Sequence, residues 1–316
     1  KLVNHSDDAK ARGIDVLHLN IGQPDIAAPK EAINAIQKTQ LKLLPYGPSQ
    51  GTHTYRKKLC VYYKKNEIEV SPEDIIVTTG ASEALIFTLN VICDAGDEII
   101  IPEPFYANYN GFASSAGVNV VPVISEFTSQ FELPSLENIT GKITTKTKAI
   151  LLCNPSNPTG YVYNEKEIST LCELAIKYDI FLIVDEVYRE FIYGGNKHYS
   201  VLKYPGGSEH TVMIDSVSKR YSLCGARVGC IVSKNHMFIQ NVLKFAHLRL
   251  SPPSIALIAS EAALDAPDSY LKEVVAEYEV RRSVLIEYLE KIPNVKVSHP
   301  IGAFYCIVKL PVEDAE

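Results

Sequence analysis

The stretch SVSKRYSLCGARVG, residues 216–229, sets Lys219 behind two serines and puts Arg227 eight positions later, with glycines at 225 and 229. A lysine amine is a covalent nucleophile once it loses its proton, and a guanidinium grips a phosphate or carboxylate through two parallel hydrogen bonds. Ser216 and Ser218 offer hydroxyls to the same anion. The chemistry this suggests is a covalent amine beside an anion site. One lysine and one arginine do not establish it, so the polar residues at comparable positions elsewhere decide.

Three other stretches supply such residues. In VTTGASEAL a glycine turn precedes a helix start, so the backbone amides of Ala81 and Ser82 point outward at a helix N-terminus, where anions bind. Read alone, such a turn is commonly only a turn. In CNPSNPTG two prolines force extended backbone before each of them and hold Asn157 rigidly, although a tight loop has the same composition. In FLIVDEVY an apolar run ends in Asp185, with Tyr188 three residues on. A carboxylate at the end of a buried strand is costly without a cationic partner, so it is either a core ion pair or a functional anion. An amine, a buried carboxylate, an amide, a phenol and a phosphate cradle are together what pyridoxal phosphate needs, its aldehyde held by lysine and its ring nitrogen by aspartate.

These groups meet only if the fold brings them to one place. Short apolar runs alternate with helical patterns: DIIVTTG, DEIIIPEP, NVVPV, KAILLC, FLIVD and TVMID. The alternation predicts an α/β fold with a mostly parallel sheet and right-handed crossovers. In such sheets ligands bind beyond the carboxyl ends of the strands, where the residues above lie. After Pro252–Pro253 the pattern changes to helices over 254–264 and 268–291, a turn at Pro293–Asn294, a strand VKVSH and the segment PIGAFYCIVKL. This predicts a smaller second domain, with which the first 25 residues are expected to pack. The expected limits are 30–275 for the large domain, and 1–29 with 276–316 for the small one.

The 316 residues are 46% hydrophobic and 22% charged, as in a globular protein of roughly two domains. A net charge of −6 gives no reason for broad attraction to nucleic acid or to a membrane surface. Arg56, Lys57, Lys58, Lys64 and Lys65 read as one solvated helix face. The longest apolar runs have the length of core helices, and no signal peptide is visible. Seven scattered cysteines, odd in number and without zinc spacing, fit free thiols in a cytoplasmic protein and no metal site. The chain starts without methionine and stops at LPVEDAE, just after an expected strand, so both ends are expected to continue.

With these residues in this order, the chain resembles the class I and II aminotransferases, fold type I pyridoxal-phosphate enzymes, near the aspartate aminotransferases. LPYGPSQGTHTYRKKL, VTTGASEAL, PEPFYANY, NPSNPTG, VDEVY, SVSKRYSLCGARVG and PIGAFY carry the resemblance over nearly the whole chain. It implies a large domain with a mostly parallel seven-stranded sheet between helices, a smaller α+β domain that is incomplete here, and a homodimer with shared sites. It implies pyridoxal 5'-phosphate as cofactor and amino-group transfer between an L-amino acid and a 2-oxo acid. By this resemblance Lys219 takes the cofactor's aldehyde and later moves the proton at the substrate Cα, and Asp185 pairs with the ring nitrogen. Asn157 and Tyr188 reach the ring's O3′, and Tyr106 lies over the ring face. The Ala81 and Ser82 amides hold the phosphate with Ser216, Ser218, Arg227 and Tyr46 of the partner subunit. Gly22 and Asn157 meet the substrate.

Two positions depart from the family pattern. The arginine that binds the substrate α-carboxylate lies well after GAFY, past the last residue of this chain. Some aspartate-specific relatives carry a lysine in the phosphate turn where this chain has Ser82. Arg249, in RLSPPS, is then a candidate for a second carboxylate, with a surface or interface ion pair as the alternative. Other readings compete. GPSQG fits the nucleophile elbow of a serine hydrolase around Ser49, although Pro45 and Pro48 spoil the strand such an elbow needs. A carbon–sulfur lyase would share this fold and these motifs. A ligand-sensing domain would keep the fold without the chemistry, but no DNA-binding helical module is visible.

Overall fold

The computed structural model describes residues 2–313. Seven strands, β1 (Ile75–Thr78), β2 (Glu98–Glu103), β3 (Asn119–Ile124), β4 (Thr147–Cys153), β5 (Phe181–Asp185), β6 (Thr211–Ser216) and β7 (Gly229–Val232), form one sheet in the order β1-β7-β6-β5-β4-β2-β3. The neighbours from β3 to β6 pair in parallel, whereas β7 is antiparallel to both β6 and β1. The helices are α1 (Leu2–Ala11), α2 (Lys30–Gln37), α3 (His53–Lys65), α4 (Gly80–Ile92), α5 (Asn108–Ser115), α6 (Leu136–Thr140), α7 (Glu165–Tyr178), α8 (Val217–Arg220), α9 (His236–Arg249), α10 (Ser254–Ala263) and α11 (Asp268–Glu290).

Successive residues of a strand face opposite sides of the sheet. Ile75 and Val77, Ile150 and Leu152, and Leu182 and Val184 join one core with Tyr55, Leu59 and Tyr63 of α3 and Leu171 of α7. Ile76, Leu151, Ile183 and Ile214 join the other with Leu85 and Leu89 of α4 and Val242 of α9. A strand covered on both faces must be apolar at every position, which is why the runs read as continuous rather than alternating. Each fully buried aliphatic side chain contributes about 1.5–3 kcal/mol. Local signals set the helix limits: at α7 Asn164 accepts the Glu167 amide while the Glu167 carboxylate accepts the Asn164 amide, a reciprocal cap.

The helix face expected to be solvated is so only in part. Arg56 is buried and donates to the Pro72 carbonyl, tying α3 to the turn before β1; a long side chain can lay its stem in the core wherever its head finds an acceptor. Residues 12–29 form no strand. They meet α11 instead: Asp25 lies 2.6 Å from Arg281, and the Ala27 carbonyl accepts from Tyr270 at 3.0 Å. The strand expected over VKVSH shrinks to β8 (Lys296–Val297), paired with β9 (Val308–Lys309). The His299 amide goes to Gln130 at 2.7 Å, and Pro300 has no amide to continue a ladder. Residues 300–305 then return to the loops that follow β4 and β5, where the Ile301 carbonyl accepts from the Tyr193 amide and the Ile301 amide donates to the Gly160 carbonyl.

The first residue of β7 is fixed by close approach. A Cβ on Gly229 would stand 2.7 Å from the Ala81 nitrogen and the Gly80 carbonyl carbon, and 2.8 Å from the Asp215 oxygen. All three are backbone atoms that no rotamer can move. Gly229→Ala is therefore expected to destabilise the chain by about 1–3 kcal/mol, read as a lower urea midpoint at unchanged slope; wild-type stability would mean that the start of α4 is free to shift.

Candidate active site

The register sets Cys153 beside Asp185 and Asp185 beside Ile214, so β4, β5 and β6 end at one edge of the sheet. The loops at that edge, with the start of α4, wall a cavity of about 450 Å³. Lys219, Asp185, Asn157, Tyr188, Tyr106, Ala81, Ser82, Ser216, Ser218, Arg227 and Gly22 all line it. Residues far apart in sequence thus share one chamber.

One part of the chamber is built for an anion. The amides of α4 open toward it at the positive end of the helix. Gly80 has φ +76°, and a Cβ there would stand 2.6 Å from Arg227 Nη2, so the guanidinium rests on the helix start. Arg227 is itself left-handed, with φ 53°, and Nη1 donates to the Cys224 carbonyl at 3.2 Å. Ser216 caps α8: its Oγ accepts the Ser218 amide at 3.1 Å and lies 2.8 Å from both Ser218 Oγ and the Val228 carbonyl.

Another part is built around a carboxylate. Asp185 is buried, and its hydrogen-bond partners are neutral: Tyr109 Oη donates at 2.9 Å and the Val187 amide at 3.3 Å. Burial pushes its pKa up to about 6, against the opposing effect of the two hydrogen bonds and of nearby Lys219. Lys219 Nζ donates to the Gly22 carbonyl at 2.6 Å. Tyr188 Oη lies 2.7 Å from Tyr305 Oη, and burial raises the pKa of Tyr305 to about 12.

One residue expected in this chamber lies elsewhere. Arg249 is outside the chamber wall, with Nη2 donating to the Ser49 carbonyl at 3.1 Å and the Val77 carbonyl at 3.0 Å and Nε 3.5 Å from Glu83. A half-buried guanidinium must find acceptors, and these fasten the end of β1 to the turn before α3 rather than meeting a substrate carboxylate. Tyr46, expected to act in the partner's chamber, is outside the wall of its own and 79% exposed. Ser49 sits in a turn with no strand before it and outside the cavity, so the nucleophile-elbow reading fails.

Sequence reasoning missed Tyr109, Tyr305 and the two thiols in the wall, Cys153 and Cys224. A signal existed for the tyrosines. Tyr109 follows Tyr106 by three residues in PEPFYANY, and Tyr305 closes PIGAFY. Tyr106 itself precedes α5 and stands edge-on to Tyr109, ring centroids 5.5 Å apart.

The family model for aminotransferases of class I and II matches residues 14–316. The aspartate aminotransferase of Bacillus subtilis (strain 168) is 35% identical over 301 residues, spanning 94% of this chain and 76% of that protein. Among solved structures, the aspartate aminotransferase from Thermus thermophilus with maleate superposes with a TM-score of 0.88 at 29% identity, covering 96% of this chain and 80% of that one. An alanine aminotransferase from Pyrococcus furiosus superposes at 0.92 with 30% identity, covering 99% and 81%.

The Asp185 environment makes stability depend on pH. Its folded pKa, about 6, lies above the unfolded value near 4, so the folded chain holds the extra proton in between. The fold gains from this group at low pH and loses the gain as pH rises through about 6, at a cost on the order of 2–3 kcal/mol. Asp185→Asn removes the ionisation. In urea unfolding of the cofactor-free chain, the variant is expected to exceed wild type by that order at pH 7.5 and to match it near pH 4. An equal difference at both pH values would place the carboxyl in a solvated site.

Proposed function

The chain belongs to the class I and II aminotransferases, enzymes of fold type I that use pyridoxal phosphate, and from that premise we propose that this cavity holds pyridoxal 5'-phosphate on Lys219 and exchanges an amino group between an amino acid and a 2-oxo acid. The observation that carries the reading is Asp185, a buried carboxylate with neutral hydrogen-bond partners, in the same chamber as an anion cradle and one amine. A phosphorylated ring with a protonated nitrogen and an aldehyde fits that donor set. When bound, the cofactor supplies an electron-accepting ring conjugated to the substrate nitrogen.

The chain's own residues divide the remaining work. The Ala81 and Ser82 amides, Ser216, Ser218 and Arg227 would hold the phosphate. Asp185 would keep the ring nitrogen protonated, and Tyr109 orients its carboxylate. Asn157 and Tyr188 would bind O3′, with Tyr188 steadied by Tyr305. Tyr106 would cover the ring face. Lys219 Nζ would take the aldehyde and, when free, carry the proton at the substrate Cα. Gly22, whose carbonyl already meets Lys219, would contact the substrate with Asn157.

We also propose a two-fold homodimer in which Tyr46 of the partner subunit reaches the phosphate; in support, Leu41, Leu43, Leu44 and Tyr46 form an exposed apolar stretch. The proposed domain division is 30–275 against 1–29 with 276–316, supported by the ion pair of Asp25 with Arg281 of α11. Among the described residues no helix is long and apolar enough to cross a membrane. The relatives' names include both aspartate and alanine aminotransferases, so the donor is left to measurement.

The test is spectroscopic. Wild type with added cofactor should develop a visible band that borohydride bleaches, and one amino acid alone should convert it to the lasting spectrum of the aminated cofactor. Lys219→Ala should lose the borohydride-sensitive band and at least about a hundredfold of the turnover. Release of ammonia and an oxo acid from one substrate, without aminated cofactor, would indicate a lyase instead. A panel of amino acids against 2-oxoglutarate identifies the donor. A wild type that never forms the band with excess cofactor contradicts the proposal.

A further inference from the structure

Lys219 sits on α8, a single helical turn of four residues. A turn this short does not hold itself, because nucleation fixes about six dihedrals for one hydrogen bond. The Ser216 cap secures one end. The other end is Arg220, fully buried, whose Nη2 donates to both carboxylate oxygens of Asp215 at 2.8 and 2.7 Å. Asp215 is the residue before the cap, and its Oδ1 also accepts the Ser216 amide at 2.8 Å. The ion pair therefore closes residues 215–220 on themselves, with Lys219 inside the closed segment.

The pair is gripped from the sheet face opposite the cavity. Tyr63 Oη donates to Asp215 Oδ2 at 2.8 Å, and the Tyr62 ring lies 4.1 Å from the Arg220 guanidinium carbon. Both tyrosines belong to α3, which packs on the core away from α4. Glu190 lies 3.5 Å from Arg220, and Arg189 lies 2.9 Å from Glu186 and 4.0 Å from Asp215. Burial opposes both charges of the central pair, yet their attraction prevails, holding Asp215 below and Arg220 above its ordinary pKa.

We propose that Arg220, clamped by Asp215, is a positioning residue that aims Lys219 into the cavity. Consecutive residues on a helical turn point about 100° apart. With Arg220 drawn toward α3, Lys219 has one direction left, and that direction brings Nζ to the Gly22 carbonyl on the cavity side. An ion pair is an expensive way to fill a core, since well-packed apolar side chains of similar volume are often equally stable. Here the expense is larger still: Arg220 Nε and Arg189 Nε and Nη1 are buried without a hydrogen-bond partner among the described residues. An apolar residue at 220 would fill the same space but leave the turn free to rotate about its axis. The pair supplies direction as well as volume.

The inference rests on Lys219 being the cofactor lysine, and its test separates the two. The rate at which added pyridoxal phosphate becomes linked to Lys219 is followed by the visible band, with borohydride fixation and peptide mapping, alongside the visible circular dichroism of the bound cofactor and the melting temperature. Arg220→Met takes from Asp215 its closest cation and leaves it only Arg189 at 4.0 Å, so it should both melt lower and link more slowly, by roughly a hundredfold, the scale of a 1 Å misplacement. Asp215→Asn with Arg220→Met removes both charges of the central pair. It should regain much of the melting temperature while keeping slow linkage and weak dichroism, and Arg220→Lys should recover part of the rate. A double variant that regains both the melting temperature and the wild-type linkage rate overturns the proposal, because the pair would then only neutralise the core. A wild type that never links at Lys219 overturns the cofactor reading, and this proposal with it, before any substitution is made.

Discussion

The site depends on a carboxylate kept dry. Asp185 ends a strand buried on both faces, and the groups that reach it are a phenol and an amide rather than a guanidinium. Such a group is unfavourable to the fold when ionised, which its pKa of about 6 expresses. The two cores above and below the sheet carry that cost. What the carboxylate gains is a strong preference for a cationic ring partner, because pairing in a low-dielectric cavity is worth far more than pairing in water.

Topology explains why an amine and a guanidinium share the chamber with it. The parallel strands β4, β5 and β6 deliver Asn157, Asp185 and Lys219 to one edge because parallel neighbours end on the same side. The antiparallel strand β7 does the complementary work. It starts at the edge where β6 stops, with Gly229 paired to Ser216 and to Thr78. The loop from Lys219 to Arg227 therefore never leaves that edge, and Arg227 comes to rest on Gly80 at the start of α4. A parallel β7 would require a crossover that carries its first residue to the far end of the sheet.

Much of this was legible in the residues, for a local reason. Six of the strands are runs of β-branched and aliphatic residues, and strand ends in α/β sheets are where polar residues acquire function, so Lys219, Asp185, Asn157, Tyr188 and Arg227 could be picked out before any coordinates. The structure puts them in one chamber. The four-residue strand β7 was too short to be read apart from its loop. Contacts between distant residues were less legible. Arg249 resembles a free cation in sequence, and only the fold shows its guanidinium spent on the carbonyls of Ser49 and Val77. Arg56 looked solvated for the same reason. Asp215 is the instructive omission: the rule that singles out Asp185 applies equally to it, but in the sequence its partner Arg220 stands beside a more conspicuous lysine.

The central claim is that Asp185 is a desolvated carboxylate whose partner is the cofactor ring. The most direct measurement is a carbon-13 NMR titration of its carboxyl, assigned by loss of the signal in Asp185→Asn, without and with pyridoxal phosphate. The account predicts a midpoint near pH 6 in the cofactor-free chain and a carboxyl that stays ionised well below that pH once the cofactor is bound. A midpoint near pH 4 that does not move on adding the cofactor would contradict it.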